Sequence, residues 1–114
     1  MQTWDLLSVH APNGTRDPLV LYSDDGARAV LIVLRPGQEL GEHQVKENAW
    51  LAVVDGEIEI EADGGSSTAV AGTFVRFAPD ERHALRSPNG ARVLLMLAPW
   101  PGDGHYRGDR PAAA

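Results

Sequence analysis

The sequence predicts an all-β protein, a single antiparallel β-barrel. Three observations carry that expectation. Short apolar or alternating runs recur along most of the chain, and turn-forming residues punctuate them at the spacing of a barrel or sandwich. No amphipathic stretch reaches helical length.

Taken in order, residues 3–10 (TWDLLSVH) read as an edge strand ended by Pro12-Asn13-Gly14. Residues 19–22 (LVLY) form a short β-like run stopped by Asp24-Asp25-Gly26, and 29–34 (AVLIVL), the most continuously apolar stretch, form a central strand ended by Pro36-Gly37. A polar run then leads to His43, a short crossing at Lys46-Glu47-Asn48, and an apolar run over 50–54. Asp55-Gly56, set between two β-patterned runs, predicts a hairpin with a type I′ turn, which needs φ > 0 at both central residues. Residues 57–62 (EIEIEA) alternate strictly, so Ile58 and Ile60 face a core and the glutamates face water. The acidic row is a solvated face that also discourages edge pairing. Asp63-Gly64-Gly65-Ser66 turns the chain and 67–71 return. Gly72 precedes another alternating strand, 73–77 (TFVRF), in which Arg76 points outward by default. The last long run, 91–98 (ARVLLMLA), lies between Asn89-Gly90 and Pro99. Residues 1–98 are therefore assigned to the barrel and 99–114 to a Pro/Gly-rich tail. Within that tail 100–106 are placed over a barrel mouth or a neighbour, and 110–114 are expected to be disordered.

At 114 residues the chain is one domain, long enough to bury a core without staples. Cysteine is absent, which rules out disulfides and thiolate metal sites. A net charge of −6 with no basic cluster argues against nucleic acid and anionic membrane as partners. No segment has the length of a membrane span, and residues 1–5 lack a charged start followed by an apolar stretch, so a soluble, cytoplasmic protein is expected.

Two stretches carry a family resemblance, residues 37–56 and 72–87. The chain resembles the cupins, small jelly-roll β-barrels of the RmlC-like type. Their first motif runs Gly, five residues, His-x-His, three or four residues, Glu, six residues, Gly. Gly37, His43 and Gly56 fall in register, whereas Val45 stands at the second His and Ala49 at the Glu. The second motif runs Gly, five residues, Pro-x-Gly, two residues, His, three residues, Asn. Gly72 and His83 match, while Ala78, Asp80 and Ser87 occupy the Pro, Gly and Asn positions.

The resemblance implies that His43 and His83 point into the barrel, where the full family set binds iron, manganese, zinc or nickel. An open transition-metal site usually needs three protein ligands, and here the motifs supply two. No cofactor is therefore expected. The exception would be a divalent transition metal (Zn, Ni, Mn or Fe) held by His43, His83 and a substitute ligand. Glu47 is the best substitute, because Glu42 and Gln44 alternate away from His43 in a regular strand.

The plainer reading is a ligand pocket lined by His43, His83, Val45, Ala49 and Trp50, with Trp50 otherwise a core residue. Trp4 and Trp100 are placed on the barrel exterior or at a subunit contact. Catalytic residues stay unassigned, although either histidine suits a general base because imidazole titrates near neutrality. Two function classes follow: a cupin that binds a small molecule in its barrel, or a small enzyme, metal-dependent through Glu47 or metal-free with a His acid–base. A homodimer built by exchanging or aligning edge strands is expected from the long apolar runs and the tryptophans near both ends.

Overall fold

The computed structural model describes residues 1–11, 18–63 and 65–102. Among them are eight antiparallel strands and no helix: β1 (Leu19–Ser23), β2 (Arg28–Leu34), β3 (Gln38–His43), β4 (Asn48–Ala62), β5 (Gly65–Val70), β6 (Phe74–Phe77), β7 (His83–Ser87) and β8 (Ala91–Ala98). The strands form two curled sheets that share β4. Its first half pairs with β8 and β6, in the order β1-β2-β8-β4-β6. Its second half pairs with β7 and β5, in the order β3-β7-β4-β5. This is the jelly-roll barrel the turn spacing predicts. One hydrophobic cluster joins both sheets, with Val30, Ile32 and Leu34 from β2, Leu51 and Val53 from the first half of β4, Ile58 and Ile60 from its second half, and Phe77, Leu85 and Val93 from β6, β7 and β8.

Asp55-Gly56 is not a hairpin. β4 runs straight through it, and the register against β8 slips between Val53 and Asp55, so the dipeptide is a bulge at which the strand passes from one sheet to the other. Gly56 does take a positive φ of 79°, and a Cβ there would lie 2.1 Å from the Gly90 carbonyl oxygen. Glycine is thus required by close backbone approach rather than by a two-residue turn. The chain reverses only between Ala62 and Gly65, which pair. The turn after β5, closed by the Thr73 N–H on the Val70 carbonyl, crosses between sheets at the same level, and its Gly72 N–H bonds the Val53 carbonyl.

Residues 3–10 are not a strand either. Ser8 and Val9 donate N–H groups to the Asp5 carbonyl in a single turn, and Arg92 on β8 donates to the carbonyls of Leu6 and Val9. The guanidinium supplies the partners that a sheet edge would have given this segment. The structure adds β7, whose His83, Leu85 and Ser87 point inward.

Trp100 packs against the core cluster with Arg28 stacked over its ring, and the Gly102 N–H reaches Glu47. The chain beyond β8 is therefore tied to the barrel at least to Gly102. The rest of the tail, including Tyr106 and 110–114, lies outside the described residues.

Candidate functional site

His43 and His83 meet at one end of the β3–β7 pair. A regular β3 would turn Glu42 inward after Gln38 and Leu40. Instead the register slips between Leu40 and His43, so that His43 pairs with His83. The extra residue rephases the strand, leaving Glu42 outside in an ion pair with Arg82 and bringing His43 to the inner side. The two imidazoles are in edge-to-face contact, with centroids 4.2 Å apart and planes at 66°. The Phe77 ring stacks on His83 at 3.9 Å and 5°. No cavity separates the histidines; they are two members of a three-ring stack.

Their hydrogen bonds define what they offer chemically. Nδ1 of His43 is 2.8 Å from the Gly41 carbonyl oxygen, and Nδ1 of His83 is 2.9 Å from that of Glu81. A carbonyl only accepts, so each Nδ1 carries the hydrogen and each neutral ring keeps its lone pair on Nε2. Burial pushes the proton affinity of His83 below the usual imidazole range. The Glu81 carbonyl opposes the shift, and the neighbouring His43 adds to it. The balance favours the neutral form of His83.

Glu47 does not complete a metal set. Its side chain is 1% exposed, and its Oε2 accepts the Gly102 N–H at 2.8 Å, which docks the segment after β8 into the β3–β4 crossing. A Cβ on residue 102 would lie 2.9 Å from the Lys46 carbonyl oxygen, so only glycine brings its amide to this carboxylate. Among the described residues no three His, Cys, Asp or Glu side chains are grouped to hold a metal. Two imidazoles fall short of the three protein ligands that an open transition-metal centre usually has.

Trp50 is also displaced from the expected pocket. Ala49, Leu51 and Val53 point into the core, so Trp50 faces outward between Arg76 and Met96. Arg76 is outward as expected and donates to Asn48. Ala49 is inward, paired with Phe77, and Val45 packs half-buried on the core cluster. The Val45 carbonyl accepts the Asp80 N–H at 2.7 Å. Asp80, standing at the family's Gly position, adopts the left-handed φ of 64° that a glycine takes without strain.

Sequence reasoning missed Phe77 and Glu81. Phe77 ends an alternating strand and was recognisable as inward, but its stacking on His83 depends on the turn between them. That turn is closed by the Glu81 side chain, which accepts the Ala78 N–H at 2.9 Å. Phe77 and Glu81 also border a cavity of about 350 Å³ at the seam where the edges of the two sheets, β5 and β6, part. Ile60, Ala69 and Val75 form its apolar wall; Ser67, Thr73 and Arg76 supply polar groups. A larger groove of about 1000 Å³ lies on the outside of β3, β7, β4 and β5. Its charged side chains pair across the strands, as Arg86 does with Glu59 and Arg82 with Glu42, which is the behaviour of a solvated face.

Known proteins place this geometry. Residues 30–98 match the family model described as the cupin domain. An RmlC-like cupin from Desulfovibrio desulfuricans superposes with a TM-score of 0.76 at 23% identity, covering 87% of this chain and 97% of that one. A conserved double-stranded β-helix protein from Klebsiella pneumoniae gives a TM-score of 0.76 at 20% identity, covering 92% and 94%. At these identities the likeness concerns fold. Among curated proteins, the chain is similar to the polyketide synthase CurC of Streptomyces cyaneus, 28% identical over 88 residues, or 72% of this chain. The chain spans only 57% of that relative's length. With the family model covering both sheets from β2 to β8, the chain belongs to the cupin domain family.

Proposed function

We propose that this cupin binds a small, largely apolar molecule in the seam cavity between β5 and β6, without a resident transition metal. The cavity carries the reading. It has the size of a small-molecule site, an apolar wall faced by polar and charged groups, and Phe77 in its lining. The ligand count supports a metal-free site, since among the described residues no three His, Cys, Asp or Glu side chains are grouped to hold a metal and one Glu47 oxygen is taken by Gly102. The likeness to a protein named as a polyketide synthase suggests a polyketide-type ligand, for which 1-naphthol serves as a small, largely apolar probe. Calorimetric titration with 1-naphthol tests this. The expected dissociation constant is about 100 µM or tighter, unaffected by chelator, and at least about tenfold weaker in Val75→Phe, whose added ring fills the cavity. Unchanged binding in that variant would remove the cavity from the account.

A second reading is favoured by one observation. Both rings, when neutral, present Nε2 lone pairs, and burial favours the neutral form of His83, which suits a metal-free acid–base enzyme with His43 or His83 accepting a proton. On that reading His43→Gln and His83→Gln abolish turnover but leave 1-naphthol affinity within about threefold, since neither ring borders the seam cavity.

A further inference from the structure

The seam cavity between β5 and β6 has an apolar floor and a rim that carries a positive charge. Ile60, Ala69 and Phe77 are buried and Val75 half-buried on the inner side, while Ser66 and Arg76 hold the exposed, outward positions of their strands. Arg76 differs from the arginines on the outer face of the other sheet. Arg82 and Arg86 each pair with a carboxylate, of Glu42 and Glu59. Among the described residues no ion pair includes Arg76, whose Nη2 donates instead to the neutral Oδ1 of Asn48 at 2.5 Å. That bond holds one corner of the guanidinium from β4, where Trp50 is the cross-strand neighbour of Arg76. The other N–H groups of the fork remain for a second acceptor. Two carboxylates also border the cavity. Glu81 has one oxygen engaged with the Ala78 N–H at 2.9 Å, and Asp63 is exposed in the turn beyond β4.

We propose that the seam takes an amphipathic monocarboxylate, an aromatic or short aliphatic acid whose apolar part lies on the floor and whose carboxylate pairs with Arg76. The inference rests on the ligand cavity proposed above and adds the charge of its ligand. A planar guanidinium matches the two oxygens of a carboxylate, and one already fixed by Asn48 loses little freedom on binding. Asp63 and Glu81 set the limit on charge. They repel a second negative charge at the rim, so a phosphate or a dicarboxylate is disfavoured against a single carboxylate. Because Arg76 is exposed, the pairing is partly screened and its contribution is moderate.

Calorimetric titration of the full chain at neutral pH, with 1-naphthol, 1-naphthoate and 1-naphthylmethylammonium, tests the proposal. The parent should bind 1-naphthoate at least about tenfold more tightly than 1-naphthol, and the ammonium ligand more weakly than either. Arg76→Gln should erase the preference, weakening 1-naphthoate about tenfold and leaving 1-naphthol within about threefold. Salt raised from about 50 to about 500 mM should weaken 1-naphthoate and spare 1-naphthol. Val75→Phe should weaken both, which ties the carboxylate site to the cavity. Arg76 is exposed, so Arg76→Gln keeps the fold, which circular dichroism checks. If neither 1-naphthol nor 1-naphthoate binds, the cavity reading falls and this inference with it. If 1-naphthol binds but 1-naphthoate binds no more tightly, or keeps its advantage in Arg76→Gln, the anchor alone is overturned. Tightest binding of the ammonium ligand overturns it too, since Asp63 and Glu81 would then govern the rim. So does 1-naphthoate binding that Val75→Phe leaves unchanged.

Discussion

Restoring the two missing motif residues should convert the ring stack into a metal site, at a stability cost that only metal recovers. Ala49 is 1% exposed and pairs directly with Phe77, so Ala49→Glu drives a carboxymethyl arm into filled space beside the ring that covers His83. Overpacking of that kind costs about 1–3 kcal/mol. Burying the polar end without a partner adds about 2 kcal/mol or more. Val45 is half-buried on the same side, and Val45→His replaces a packed side chain with a third imidazole. The metal-free double variant should therefore lose about 3–5 kcal/mol, a large part of the about 5–15 kcal/mol that holds a domain of this size together. Nickel or zinc at about a thousand times its dissociation constant would return about 4 kcal/mol, or about 15 °C in melting temperature. Differential scanning calorimetry of parent and variant, each with chelator and with about 1 mM nickel, reads both numbers. The parent should shift by less than about 2 °C, because two imidazoles do not compete with water and buffer. A parent that shifts as much as the variant would refute the two-ligand site. A variant that never shifts would refute the inward geometry of Ala49 relative to the histidines.

Three further outcomes follow from the structure. Gly56→Ala adds a Cβ 2.1 Å from a backbone carbonyl at φ 79°, whereas Gly72→Ala, at φ 95°, meets nothing within 4 Å. Urea unfolding should charge Gly72→Ala only the about 1–2 kcal/mol of a left-handed residue and Gly56→Ala at least about 2 kcal/mol more. Equal losses would contradict the sheet-switching bulge. Asp80→Gly relieves the left-handed φ of 64° and gives up only an exposed pair with Lys46, so the same assay should show a gain of up to about 1 kcal/mol. For His83, folding lowers the proton affinity, so the unfolded chain binds protons first as pH falls. Stability is then complete above the unfolded value near 6.5 and declines as pH drops below it toward the lower folded value. His83→Phe should flatten the melting temperature between pH 7 and about 5, and an unchanged slope would mean that His83 is not held neutral.

Much of the barrel is legible because strand alternation is local. Ile58 and Ile60, Val75 and Phe77, and the inner residues of β8 all face where the period-two pattern sends them. The same rule, phased from Leu51 and Val53, puts Trp50 outside. Asp55-Gly56 misled because positive φ at glycine serves a tight turn and a bulge alike. What separates them is the distance to Gly90, a partner far along the chain. The contact that holds Glu47 is not local either: its Oε2 accepts the N–H of Gly102, distant in sequence. His43 reached the expected site through a bulge that no local pattern announces. β7 was hidden because His83, Arg86 and Ser87 break up any apolar run, although its inner positions alternate correctly.

The central claim is a ligand cavity at the β5–β6 seam of a metal-free cupin. It is tested most directly by the crystal structure of the protein soaked with 1-naphthol. The account predicts density for the ring system in the seam, against Phe77 and between Ala69 and Val75, with the His43–His83 contact retained and no metal between the rings. Density elsewhere with the seam closed, or a metal between His43 and His83, would contradict it.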